Sequence, residues 1–157
     1  MARLTPYRLA PDAAEIPAIL ALLHEAFDYM EGRIDPPSSL HRLSLADIAT
    51  QAETGEVWAI GTPPVACMFL TPAPDHLYLG KLAVAASHRQ KGLARRLVGV
   101  AIKRARARHL PRLVLKTRIE LTENQRAFAA MGFRLVAHET HPGHARPTSC
   151  RLERDVT

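Results

Sequence analysis

Residues 77–94 read LYLGKLAVAASHRQKGLA, and the change of pattern inside this stretch decides the fold. Leu77 to Val84 has the short apolar alternation of a β-strand. After Ser87 the period lengthens: Leu93, Leu97, Ala101 and Ala105, flanked by Ala94, Val98 and Ile102, make one face of a helix, and most of the arginines and lysines lie elsewhere. The spacing starts that helix near Gln90. A strand, a short turn and a helix start bring free backbone N–H groups and the positive end of a helix dipole to one point, which is a phosphate-binding arrangement. Gly92 leaves room for an anion to approach the backbone, and Arg89 and Lys91 offer counter-charge. The sequences G-x-x-x-x-G-K-[ST] and G-x-G-x-x-G are absent, so this is neither a P-loop nor a dinucleotide fingerprint.

Outward from this stretch, the N-terminal side reads as a helix over Ile16–Met30 with Asp12 at its start, a broken segment GRIDPPSSL, and a second helix over Ser44–Glu53. EVWAIG and PVACMFL form a hairpin, and Gly80 marks a bulge in the next strand. Beyond the long helix, Pro111 stops it, RLVLKTRI is a strand, and TENQRAFAAM is a helix with Thr122 as N-cap and Gly132 past its end. FRLVAHET and TSCRLERDV are the last two strands. Alternating helices and strands predict a three-layer α/β or α+β arrangement around a mixed sheet, in one domain spanning residues 1–157.

Composition narrows the classes. The chain has 157 residues, of which 47% are hydrophobic, enough for one sizeable core. No apolar run is long enough to span a bilayer and no leader pattern is present, so a cytoplasmic location without a membrane partner is expected. Cys67 and Cys150 are too few for a disulfide framework and sit in apolar contexts, where they read as small hydrophobes. Of 21 basic residues, 11 lie between Arg89 and Arg118, and no Asp or Glu occurs from Leu77 to Ile119. Such a run favours polyanions, yet it contains no aromatic residue for base stacking, so nucleic acid is not the expected partner.

HRQKGLA resembles the R/Q-x-x-G-x-G/A turn of the GNAT superfamily of acyl-CoA-dependent N-acyltransferases, and ENQRAFAAMGF resembles its N-x-x-x-Y/F-x-x-x-G-F segment. The order of elements is similar as well. The resemblance implies a mostly antiparallel seven-stranded sheet, splayed between strands 4 and 5 and flanked by four helices. It further implies acetyl-CoA as cofactor, with the pyrophosphate on the amides of Arg89, Gln90, Lys91, Gly92, Leu93 and Ala94. The pantetheine arm would run along Leu82, Ala83 and Val84 and against Asn124 and Phe128.

The implied activity is acetyl transfer to a primary amine of a small molecule or a protein by direct attack in a ternary complex. A non-catalytic acyl-CoA-binding protein of the same fold is the alternative, and a homodimer stays open. The loops DYMEGRIDPPSS and HETHPGHARPTS would line the acceptor pocket. They offer Glu31, His138 and His141 as bases and Arg33, Asp35, Ser38, Ser39, His144, Arg146 and Thr148 as acceptor contacts. Arg33 or Arg146 would clamp an acceptor carboxylate. Phe128 stands where many members have a tyrosine that protonates the departing thiolate, which leaves water, Tyr78, Ser38 or Ser39 for that task. His138, His141 and His144 are spaced three apart, but Pro142-Gly143 prevents the helix that would align them, so no metal is expected.

Overall fold

The computed structural model describes residues 4–157, leaving residues 1–3 of the expected domain undescribed. Seven strands form one sheet: β1 (Tyr7–Arg8), β2 (Glu56–Ile60), β3 (Ala66–Pro72), β4 (Leu77–Val84), β5 (Arg112–Arg118), β6 (Arg134–Glu139) and β7 (Ser149–Asp155). Their spatial order is β1-β2-β3-β4-β5-β7-β6. Every neighbouring pair is antiparallel except β4 and β5. Four α-helices flank it: α1 (Ile16–Phe27), α2 (Leu45–Thr54), α3 (Leu93–Ala107) and α4 (Thr122–Ala130). The expected mixed, mostly antiparallel seven-stranded sheet with four helices is therefore the architecture observed.

β3 shows why two layers of helices form. Its alternate residues Ala66, Met68 and Leu70 are fully buried with Leu97, Ala101 and Ala105 of α3, while Cys67 and Phe69 on the other face meet Ile19 and Leu23 of α1 and Ile48 of α2. A strand covered on both faces has no polar side to spare, and its sequence reads as the continuous apolar run ACMFL. Burial pushes the Cys67 thiol up to about 12 and the Cys150 thiol above its ordinary value, as fits packed side chains.

The helix ends depart from the sequence reading in detail. Ser44 caps α2 in a capping box with Asp47, as serine before an apolar-periodic run should. Asp12 does not cap α1; Glu15 precedes the first turn, a proline lies within it, and Asp28–Met30 continue as a 3-10 turn. Thr122 is the first residue of α4 and its side chain makes no cap bond. α3 begins at Leu93, three residues later than its periodicity indicates, because Gln90 and Gly92 both adopt left-handed backbone angles, φ 63° and 77°. A right-handed helix cannot run through them.

β4 and β5 set up the site. They pair at only two positions, Leu77 with Leu113 and Tyr78 with Val114. Beyond these, β4 stays with β3 and β5 stays with β7, so the sheet opens into a wedge whose β4 edge lacks a strand partner from Leu79 onward. The bulge expected at Gly80 falls just after it. Gly80 pairs with Phe69 and Ala83 with Cys67, so Lys81 and Leu82 together oppose Met68. Lys81 takes a left-handed φ of 51° in the middle of a strand. Gly80 also makes room for the Tyr78 ring: a Cβ there would come within 3.2 Å of it, and the ring would have to shift.

Candidate active site

A cavity of about 540 Å³ occupies the wedge. Its walls come from β4 (Tyr78 to Leu82), β5 (Leu115 to Arg118), the segment after α1 (Tyr29, Met30, Ser38, Ser39) and α4 (Asn124, Phe128), with His141 from the β6–β7 connection. The sequence-selected residues on its wall are thus Tyr78, Leu82, Asn124, Phe128, Ser38, Ser39 and His141. Ala83 and Val84 follow Leu82 along the open edge of β4, and the turn Ala85–Gly92 begins where that edge ends.

The turn has the features of an anion cradle. Two left-handed residues, Gln90 and Gly92, curl the backbone ahead of α3. The first helical hydrogen bond runs from the Arg96 N–H to the Gly92 carbonyl, so the N–H groups of Leu93, Ala94 and Arg95 have no helical acceptor. No side chain caps them. A Cβ on Gly92 would meet nothing within 4 Å, which leaves the approach open. Lys91 is exposed beside it. Arg89 points elsewhere: its guanidinium donates to the Ala26 carbonyl near the C-terminus of α1, at 3.4 Å.

At the other end of the cavity His141 is fixed by Thr148. The backbone N–H of His141 donates to Thr148 Oγ1 at 2.9 Å, and Nδ1 of its ring lies in hydrogen-bond contact with the same oxygen. Thr148 Oγ1 in turn donates to the Glu139 carbonyl at 3.4 Å. Whenever the hydroxyl proton is directed there, Nδ1 carries the ring proton and Nε2 is left as the acceptor. Burial, and after it the positive charge of Arg118, hold His141 below its ordinary value, so the ring is neutral at pH 7. Tyr78, on the same wall, is pushed up by burial and retains its phenolic proton. Asn124 donates to the Tyr29 hydroxyl at 2.9 Å, tying α4 to the segment after α1. Phe128 packs edge to face on Phe133 with ring centroids 5.8 Å apart.

Several selected residues are engaged away from this wall. Arg33 is paired with Glu123 at 2.9 Å and lies over the Tyr29 ring. Glu31 is 2.7 Å from His41 and borders a separate, smaller pocket. His138 is exposed on β6, a strand at the edge of the sheet, opposite Cys150. Asp35 lies 3.4 Å from His144 and its backbone N–H donates to Glu120. Ser38 does line the wall, with its side chain used to cap the turn at Ser39–Arg42 through the Leu40 N–H. Arg146 is exposed, and Thr148 is buried behind His141. Among the described residues no cluster of histidine, cysteine or carboxylate groups has the geometry of a metal site.

Among the cavity residues not selected from the sequence, Lys81 and Arg118 carry charge that no carboxylate contacts directly. The Lys81 ammonium donates to Ser39 Oγ at 3.2 Å, and the Arg118 guanidinium donates to the carbonyls of Pro36 and Pro37 at 2.6 and 3.2 Å. Burial, and then the charge of Arg118, hold Lys81 below its ordinary value. The signal for Lys81 was its place beside Gly80, since a bulge re-aims the side chain next to it. Arg118 was hidden as the last member of a long basic run.

Residues 17–133 match the acetyltransferase (GNAT) family. The chain is 31% identical over 80 residues to N-alpha-acetyltransferase 30 of Saccharomyces cerevisiae, a stretch covering 46% of this chain and 46% of that protein, so the alignment spans about half of the curated relative. Among solved structures, an acetyltransferase from Streptococcus agalactiae superposes with a TM-score of 0.77 at 14% identity, covering 99% of each chain. A GNAT family acetyltransferase from Elizabethkingia anophelis with acetyl-CoA bound gives 0.69 at 18% identity, again covering 99% of each. The ribosomal-protein-S18-alanine N-acetyltransferase of Escherichia coli gives 0.68 at 18%, covering 99% of this chain and 95% of that one. These likenesses are of fold. The family match extends over most of the chain and includes both the open edge of β4 and the turn that follows it, and on that ground the chain belongs to the acetyltransferase (GNAT) family, whose acyl donor is acetyl-CoA.

Proposed function

We propose that this chain is an N-acetyltransferase that moves the acetyl group of acetyl-CoA to a primary amine of a small molecule or a protein, with donor and acceptor bound together in the wedge. One observation carries the reading: the unpaired edge of β4 leads from an anion-binding turn to a cavity containing a neutral, oriented imidazole. The residues present fit the donor. The amides of Leu93 to Arg95 and the open approach at Gly92 suit a diphosphate. The backbone groups of Leu82–Val84 that β3 does not use border the gap and suit an amide-containing arm that pairs like a strand. Acetyl-CoA supplies an activated thioester, so the protein has to orient the amine, remove its proton and exclude water.

His141 performs the proton removal. An aliphatic amine with a pKa near 10.4 is only about one part in two thousand neutral at pH 7, so a base within reach raises the reactive fraction. Nε2 of a neutral imidazole can take that proton directly or through one water, and Thr148 keeps the ring turned for it. Tyr78 is one of the hydroxyls on this wall that would deliver a proton to the departing thiolate in place of the tyrosine missing at Phe128, and burial keeps it protonated. That missing tyrosine is the observation favouring the second reading, a protein that binds acyl-CoA without turnover.

The decisive experiment incubates the protein with acetyl-CoA and pools of primary amines and follows free thiol release together with a mass gain of one acetyl group. Thiol release tied to an acetylated amine supports transfer. Tight acetyl-CoA binding without any acetylated amine supports the second reading.

A further inference from the structure

Lys81 and Arg118 are two cations on one cavity wall, and nothing in the fold neutralises Lys81. No carboxylate lies within 4.0 Å of its ammonium among the described residues, and Ser39 Oγ is the partner it donates to. An ammonium has three donors, so two remain to be used. Lys81 is also held in a left-handed conformation that a lysine reaches only at a cost, which places this side chain at the mouth of the wedge. Arg118 gives its guanidinium to two neutral carbonyls. Glu120 and Asp35 are near enough to favour its charge, yet neither forms an ion pair with it, and Glu120 Oε1 is buried without a partner. The third cation nearby, Lys116, is already paired with Glu139 at 2.8 Å. Among the described residues, Lys81 and Arg118 are therefore the cations of this wall that no carboxylate contacts directly.

We propose that the acceptor carries a side-chain carboxylate, and that Lys81 and Arg118 bind it while His141 addresses the amine. The inference rests on the acetyl-transfer reading above and narrows its substrate class. A carboxylate between the two cations would supply the missing counter-charge and use the free donors of Lys81 in charge-assisted hydrogen bonds. A polyamine or an aminoglycoside would bring further positive charge to the same wall and is disfavoured. The shared chemistry is met by a free amino acid with an acidic side chain and by a peptide that begins with one.

The test measures steady-state acetylation of L-glutamate and L-glutamine, of two short amidated peptides beginning with Glu or Gln, and of spermidine. The expected result is a kcat/KM for one of the acidic acceptors about ten- to a hundredfold above its neutral isostere, with spermidine lowest. Comparing the free amino acid with the peptide tells which source the site takes. Lys81→Met should collapse the acidic preference through KM, and Lys81→Arg should restore part of it; acetyl-CoA affinity and Tm of both variants establish that they are folded. As a readout without turnover, N-acetyl-L-glutamate or the acetylated Glu peptide, matching the preferred source, should raise Tm in the presence of CoA more than its Gln counterpart does. Preference for spermidine, equal rates for acidic and neutral acceptors, or an equal loss of kcat on every acceptor in Lys81→Met would overturn the inference while leaving acetyl transfer intact. Saturable acetyl-CoA binding with no acetylated amine would overturn the transfer reading, and this inference with it.

Discussion

Two regions of this protein bury charge, and they treat it oppositely. At the closed end of the sheet, the carboxylate of Glu56 is fully buried and completely satisfied: Trp58 Nε1 donates to it at 2.8 Å, Arg104 at 2.8 and 3.1 Å, and Arg108 at 2.8 Å. At the open end, Lys81 and Arg118 face a cavity with hydrogen bonds only to neutral oxygens. The first arrangement locks α3 onto β2; the second leaves donors free for a ligand. Neutralised charge here belongs to the fold and unneutralised charge to the site. Within the basic run from Arg89 to Arg118, Arg104 and Arg108 are neutralised by Glu56 and Arg112 by Asp75, whereas Arg118 meets only neutral carbonyls.

The largest effect should come from breaking the closed end. Glu56→Ala strands two arginines against a buried position, and urea denaturation should show a loss of about 3–5 kcal/mol. Acidification makes a milder version of the same test. Burial raises the Glu56 pKa, but hydrogen bonds from Arg104, Trp58 and Arg108 outweigh it and hold the carboxyl at about 2, against an ordinary 4.5. Because the folded value is the lower one, this stabilisation, about 3 kcal/mol, is complete above pH 4.5 and lost as pH falls toward 2. Glu56→Gln should flatten that part of the stability profile.

At the open end the effects appear in function. His141→Gln should lower kcat about 10²-fold with acetyl-CoA affinity unchanged, read by steady-state kinetics and calorimetry. Gly92→Val should weaken acetyl-CoA binding at least about tenfold, since a branched side chain would fill the approach to the α3 amides. It should cost the fold only about 1–2 kcal/mol, the penalty of a left-handed residue, because nothing else lies within 4 Å of the new Cβ. Phe128→Tyr should move kcat least, staying within about tenfold of wild type, because Tyr78 already offers a hydroxyl; loss of all turnover in Phe128→Leu with acetyl-CoA binding kept would give the phenyl ring an unassigned role.

The halves of the molecule differ in how much of them the sequence discloses. The wedge was legible in outline because its parts are contiguous: strand, turn and helix start lie within 18 residues, and Gly92, with its left-handed angle, announces the turn. The Glu56 lock was not legible, since its two arginines stand 48 and 52 residues away and look like any exposed helix charge. Lys81 was missed although Gly80 marked a bulge, because the pattern does not tell which neighbour of the bulge turns into the cavity. The loop residues Arg33, Glu31 and Asp35 were selected by chemical type, and their partners Glu123, His41 and His144 come from other turns of the chain that periodicity does not bring together.

Hydrogen–deuterium exchange with and without saturating acetyl-CoA tests the contrast between the two regions most directly. Exchange is expected to slow at the amides of Leu82–Val84 that β3 does not use and at Lys91–Arg95, where Leu93 to Arg95 lack helical acceptors, and to stay unchanged across Glu56–Ile60 and the Arg104–Arg108 end of the α3 region. Protection absent from the turn, or spread evenly over both ends of the sheet, would contradict the assignment of the open wedge as the acetyl-CoA site.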